Sequence, residues 1–135
     1  MAYNFFVDPD ANCIFVRHSG TVTLDEIAAL HDDLVGRDEY ARNMNVLRDM
    51  READLSSEFE YQAFKAWADE NITAINRELG ICRIAWVLGT RDDFAKAHRI
   101  KHIFRFKHSS VEMDGYRKFE SALKWLDIPL DHEWN

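Results

Sequence analysis

Residues 80–90 read GICRIAWVLGT, the longest nearly unbroken apolar run in the chain, interrupted only at Arg83. Gly80 and Gly89 bracket it too tightly for a helix buried all round. A run of this length between two glycines fits a strand covered on both faces. The reading makes this strand the middle of a mostly parallel sheet and puts Trp86 deep in the core.

Working outward, the stripe Phe64, Trp67, Ala68, Asn71, Ile72, Ile75 and Leu79 has helical spacing and ends at Gly80, so a helix of about five turns delivers the chain into the strand. Ser57 with Glu60 three residues later reads as its capping box. On the other side, Thr90 caps a helix over Asp92–Phe104, with Asp92 and Asp93 in its first turn. Upstream, Asn45–Asp49 reads as a short buried strand followed by a charged turn over Met50–Asp54. Leu24–Val35 carries a second helical stripe, capped by Thr23 and Glu26 and stopped at Gly36. Asn4–Val7 and Cys13–His18 flank the turn sequence Asp8-Pro9-Asp10-Ala11-Asn12, which predicts an antiparallel hairpin at one edge, closed at Gly20. Downstream, Val111–Phe119 is expected to hold the last strand, broken at Asp114-Gly115. Glu120–Leu126 is a short final helix. The alternation of strands with helices long enough to cross over describes an α/β protein.

The 135 residues fit one domain, residues 1–135, large enough to bury a sizeable core. Net charge is −7, which opposes nucleic acid or an anionic membrane as a general partner. The charge is uneven: Arg91, Lys96, Arg99, Lys101, Arg105 and Lys107 face only Asp92 and Asp93 in their segment. That segment reads either as a local anion site or as a solvated basic helix face. No stretch approaches the length of a membrane span, and the opening MAYNFFVDPD has no basic region or apolar core of a targeting peptide. Cys13 and Cys82 both fall in predicted strands, which fits buried free thiols in a reducing cytoplasm.

Few residues suggest chemistry. Asp49 ends a buried strand, and in open α/β sheets ligands gather outside the carboxyl ends of the strands. Arg48, Asp49, Arg51, Thr90 and Arg91 are therefore the candidate binding residues for a small anionic ligand, unless Asp49 simply pairs with Arg51 or Arg91 to fix the loop. His98 and His102, four apart on a helix, have metal-ligand spacing, with His108 as the nearby third histidine; basic helix surface is the preferred reading, and no metal is expected. There is no Gly-x-Ser-x-Gly, no phosphate-binding loop and no dinucleotide turn, so no catalytic residue and no cofactor are assigned.

Three segments carry a resemblance: Gly20-Thr21-Val22-Thr23 with Glu26, Val46-Leu47-Arg48-Asp49 with Arg51, and Phe119-Glu120-Ser121-Ala122-Leu123-Lys124-Trp125-Leu126. With the order of elements, they make the chain resemble the SpoIIAA-like (STAS/Sec14-like) bacterial family, over nearly its whole length. The resemblance implies a right-handed β/α superhelix on a mixed sheet of about five strands. True anti-sigma-factor antagonists of this fold carry a phosphorylatable Asp-Ser-Ser-Gly where the third strand enters the second helix. Here Asp49 is followed by Met50-Arg51-Glu52-Ala53-Asp54, and the Ser-Gly pair is missing from that place. Ser56 and Ser57 are the phosphorylation candidates, and both are equally explained as helix caps.

The expected function is a non-enzymatic regulatory or protein-interaction module of STAS-like type, with a protein partner or a homodimer. The alternative is a Sec14-like carrier of a small lipophilic or anionic ligand. An enclosed pocket lined by aromatics from the long helix and the basic third helix is the feature that distinguishes the second from the first.

Overall fold

The computed structural model describes residues 3–134 and is a mixed five-stranded sheet with four helices. The strands are β1 (Tyr3–Asp8), β2 (Cys13–Val22), β3 (Asn45–Leu55), β4 (Cys82–Leu88) and β5 (Val111–Tyr116). They lie in the sheet in chain order, with β1 antiparallel to β2 and every other neighbouring pair parallel. The run at 80–90 is thus an interior strand, but β3 holds the middle position. The difference arises because β3 is longer than its apolar core suggests. Met50–Asp54 is not a turn: Met50, Ala53 and Leu55 are buried while Arg51, Glu52 and Asp54 reach solvent, and the strand continues to pair with β2.

Helices α1 (Leu24–Val35), α2 (Tyr61–Leu79) and α3 (Arg91–Phe106) connect the four parallel strands, and α4 (Phe119–Trp125) follows β5. Every crossover steps to the next strand in the same direction. Right-handed connections therefore stack α1, α2 and α3 on one face. The two cores agree. Leu30, Phe64, Ala68 and Ile100 pack with Val46, Ile84 and Leu88 on that face. On the other, Ala122 and Leu123 of α4 pack with Leu47, Ala85 and Val87. Successive residues of β3 and β4 alternate between the two cores, as the period of a pleated strand requires.

Local differences from the sequence reading have identifiable causes. Gly20 does not close β2. With φ of 68° it sits inside the strand, near a register shift between Arg17 and Ser19, and pairing resumes to Val22. Asp114-Gly115 does not break β5: Asp114 and Gly115 pair in register with Ala85 and Trp86. Thr23 caps α1 by accepting from the Glu26 amide at 3.2 Å, yet the Glu26 side chain turns inward and is buried. Glu58 takes its place at the helix start, its Oε1 accepting from the Leu24 amide at 3.1 Å. The Ser57–Glu60 capping box does not form. A 3-10 turn over Ser57–Phe59 intervenes, Ser56 is its cap, and α2 begins after Glu60 without a side-chain cap.

Candidate ligand-binding site

The five residues singled out at the strand ends are not brought to one place. Arg48 and Asp49 are consecutive in β3, so their side chains leave opposite faces of the sheet. Asp49 faces the α4 side and is buried. Its two oxygens accept from Arg51 Nε at 2.9 Å and Nη2 at 2.8 Å. Arg17, its register neighbour on β2, adds a cation at 3.7 Å. Burial pushes the Asp49 carboxyl up, but the Arg51 hydrogen bonds and the two guanidinium charges outweigh it and hold the group below its ordinary value. Arg51 also lies over the Phe119 ring, 5.0 Å from its centre. Arg17, Asp49 and Arg51, with Glu52, line a shallow open pocket of their own on that face.

Thr90 is the cap of α3, its Oγ1 accepting from the Asp93 amide at 3.1 Å. Asp93 is buried and accepts from the Leu55 amide at 3.2 Å, which ties the start of α3 to the end of β3. Gly89 runs so close to Arg51 that a Cβ on it would lie 2.4 Å from the Arg51 carbonyl oxygen. These contacts draw the start of α3 against the end of β3, and Arg91 is exposed beside them. Ser56 Oγ accepts from the Glu58 amide at 3.3 Å, while Ser57 is exposed. His98 and His102 lie edge to face with ring centres 5.1 Å apart on the surface of α3. No cluster of three metal-ligating side chains occurs among the described residues. Cys13 and Cys82 are buried free thiols, each pushed up to about 12 by burial, which suppresses the thiolate.

Arg48 belongs to a different site. On the helical face of the sheet a cavity of about 150 Å³ lies between α1, α2 and the strands. Its floor is Arg48, Ile84, Trp86 and Met113 from three adjacent strands. Phe64, Trp67 and Ile75 of α2 and Phe104 of α3 form apolar walls. Ile27, Ala28 and His31 of α1 line the remaining side. α2 packs closely on α3 but not on α1. One side-chain bridge joins α1 to α2 beside the cavity, His31 Nε2 to Glu78 Oε2 at 2.5 Å.

The polar groups of this site form two sets: Arg48 and Trp86 on the sheet are buried, whereas His31, Asp32, Asn71 and Glu78 on the helices are half-buried or exposed. Arg48 is 8% exposed and Trp86 4%. The two are register partners across β3 and β4, so their side chains stand next to each other on the cavity floor. Trp86 Nε1–H has no hydrogen-bond partner. Arg48 Nη1 donates to His18 Nε2 at 3.3 Å. Burial lowers the Arg48 pKa to about 10, partly offset by the Glu26 charge, so the guanidinium is cationic at neutral pH. His18 is fully buried, and burial together with the Arg48 charge lowers its pKa to about 3. It is therefore neutral, accepts through Nε2 and carries its proton on Nδ1. Nδ1 lies 4.0 Å from Glu26 Oε1, beyond hydrogen-bond reach, and neither atom has another partner.

The sequence reading missed His18 and Glu26 and put Arg48 in the wrong company. The signal was available. His18 alternates in phase with Ile14 and Val16, and Arg48 with Val46 and Met50, so both were on an apolar face.

No protein-family model and no curated protein matches the sequence. Among solved structures, the chain is similar to an uncharacterised protein of the DUF3478 family from Shewanella loihica PV-4, which has a SpoIIAA-like fold. The TM-score is 0.56 at 15% identity, covering 93% of this chain and 94% of the other. No helix among the described residues is long and apolar enough to cross a membrane. With its strand order, its parallel crossovers and this likeness, the chain has a SpoIIAA-like fold.

Proposed function

We propose that this protein is a non-enzymatic binding module for a small, largely apolar molecule, held in the cavity between α1, α2 and the sheet. One observation carries the reading: the buried Arg48 guanidinium, with His18 as its one hydrogen-bond partner among the described residues, lines an aromatic-walled cavity beside Trp86. A buried charge gains from a partner that accepts its remaining hydrogen bonds. A ligand supplying an acceptor meets that need, and the apolar walls supply the rest of its binding energy. Enzymatic work has less support. The cavity's lining holds no serine, threonine or cysteine to act as a nucleophile, and its histidine, His31, is engaged by Glu78.

The interaction-module reading draws on exposed apolar side chains, chiefly Phe106 at 81% and Ile81 at 76%. Scattered single residues of this kind are ordinary on soluble surfaces. They favour a partner less than the cavity favours a ligand.

Native mass spectrometry of the purified protein, first gentle and then denaturing, tests the reading, with thermal-shift titrations of benzyl alcohol and 1-hexanol alongside. Ala28 lines the cavity from an exposed position on α1, so Ala28→Trp is the blocking variant. A releasable small-molecule mass, or a stabilisation by either probe that Ala28→Trp abolishes, supports the cavity. A protein of bare mass, stabilised by neither probe, overturns it.

A further inference from the structure

A second surface lies at the β5 edge of the sheet, where α3, the end of β5 and the start of α4 border an open groove. We infer that this groove docks an acidic segment of a partner protein. The segment's carboxylates lie against Arg91, Arg117 and Lys118, and an apolar side chain between them lies against Phe94 and Tyr116. The inference goes beyond the cavity and does not depend on it.

The pairing of charges is the first support. The sequence concentrates Arg91, Lys96, Arg99, Lys101, Arg105 and Lys107 in one segment. The structure divides them into two kinds. Lys96 pairs with Glu60, Lys101 with Asp114 and Lys107 with Asp69. Arg91, Arg99 and Arg105 are exposed and make no ion pair among the described residues. The same holds for Arg117 and Lys118, which follow β5. On a protein of net charge −7, this is a local field of the opposite sign.

The shape of the surface is the second. Phe94, His98 and Lys101 of α3 line one wall, and Arg91 and Arg105 continue the same ridge, each three or four residues from the next. Tyr116, Arg117 and Lys118 line the other wall. Phe94 and Tyr116 are half-buried, so each still presents part of its ring. The one carboxylate in the lining, Asp114, is already engaged. It accepts from Lys101 Nζ at 3.2 Å, from the Gly115 amide at 2.8 Å and from the Tyr116 hydroxyl at 3.4 Å. Arg117 and Lys118 therefore keep their charge for an incoming anion. The groove holds about 630 Å³, within the range of sites that take a whole molecule and not a single ion.

The range of electrostatics selects the partner. At physiological salt, exposed charges act over about 8 Å. A short peptide segment seated in the groove meets the local cations and the two rings. A nucleic acid or an anionic membrane extends past the groove and meets the surface of a chain with net charge −7. The rings also favour a segment that carries an apolar side chain among its acids over a bare polyanion.

Fluorescence anisotropy of the full chain with a labelled peptide, Asp-Glu-Phe-Asp-Glu-Trp-Asp-Glu, tests this beside its neutral counterpart, Asn-Gln-Phe-Asn-Gln-Trp-Asn-Gln. At about 0.1 M salt the acidic peptide is expected to bind at least about tenfold more tightly than the neutral one. Arg117→Gln combined with Lys118→Gln should weaken it about threefold or more, since exposed pairs are individually modest. Both side chains are exposed, so the fold tolerates the change, and Arg91→Gln repeats the test from the opposite wall. Arg42→Gln is the control. It removes an exposed, unpaired cation from the loop before β3, at the opposite ends of the strands, and should leave binding unchanged. Equal binding of the two peptides, or an equal loss in Arg42→Gln, overturns the inference. Tighter binding of oligothymidylate or of phosphatidylserine vesicles than of the acidic peptide overturns it in favour of a polyanion surface. Absence of peptide binding up to about 1 mM overturns it as well. None of these outcomes bears on the cavity.

Discussion

Arg48 Nη1 lies 3.3 Å from His18 Nε2 across neighbouring strands, with both side chains buried. This contact fixes the tautomer of the histidine and sets a cation against a group that would otherwise accept a proton. The polar row continues to Glu26 without closing, because Nδ1 and Oε1 stop 4.0 Å apart. A polar cluster left partly unpaired under an apolar cavity is where stability and binding intersect.

The histidine makes stability depend on pH. Its folded pKa is about 3 against an ordinary 6.5, so between those values the unfolded chain binds a proton that the folded protein does not. Stability must therefore fall as pH drops through that window, by up to about 1.4 kcal/mol per unit from this residue. His18→Gln retains an acceptor for Arg48 but cannot titrate. Urea unfolding from pH 7 to 4 should show a shallower decline for His18→Gln, by nearly one proton. Parallel declines would mean that His18 is hydrated in solution.

Asp49 contributes with the same sense over a lower range. Its folded carboxyl lies below the ordinary 3.8, so its stabilisation is fully present above that value and is lost as pH falls through the lower folded one. Arg51 is about half exposed, which screens the pair. Asp49→Asn should cost about 1 kcal/mol between pH 5 and 8. The gap between variant and parent should then close below about pH 3.8. A gap unchanged at pH 3 would show that the loss comes from packing and not from charge.

The fold was legible because long amphipathic segments and their punctuation agreed. Thr23, Gly36 and Thr90 mark helix ends that the structure reproduces. The candidate site was less legible. Arg48 and Asp49 are adjacent in sequence, so a strand-end argument grouped them, although a pleated strand sends consecutive side chains to opposite faces. Met50–Asp54 misled for a related reason. Arg51, Glu52 and Asp54 read as a turn, yet they are the solvent-facing residues of a strand whose other residues, apart from half-buried Asn45, are buried. A pocket walled by aromatics of α2 was an expectation of the sequence, but its place depends on the gap between α1 and α2, which no single element encodes.

Trp86 separates two contributions in one residue. Trp86→Ala removes a buried ring from an interior strand, one that packs edge to face against Phe59 with ring centres 5.9 Å apart. The expected loss is about 3–5 kcal/mol. Trp86→Phe keeps most of the ring and deletes a donor that has no partner. The relieved desolvation offsets much of the lost contact, so stability should stay within about 1 kcal/mol of the parent. Urea midpoints for both variants check this. A loss below 1 kcal/mol for Trp86→Ala would reject the core position of β4.

The serines differ in what they do locally. Ser56 caps the 3-10 turn through the Glu58 amide, whereas Ser57 is exposed inside that turn. Ser56→Ala should cost about 0.5–1 kcal/mol, and Ser57→Ala should stay within about 0.5 kcal/mol of the parent. Thermal unfolding of the two variants decides it. The reverse order would restore Ser57 as the helix cap.

Gly89 is required by a close approach of backbones and not by its own conformation. A Cβ there would lie 2.4 Å from the carbonyl oxygen of Arg51, a backbone atom that cannot swing aside. Gly89→Ala must push the start of α3 away from β3, straining the Asp93-to-Leu55 hydrogen bond at 3.2 Å. A cost of about 1–3 kcal/mol is expected. Gly36 is the internal control. It ends α1 at φ −84°, and the nearest atom to an added Cβ is 3.6 Å away. Gly36→Ala should therefore be neutral or stabilising by about 0.4–1 kcal/mol, through the reduced freedom of the unfolded chain. Urea unfolding of the pair should move in opposite directions. Equal effects would mean that α3 is not seated against β3 as the structure has it.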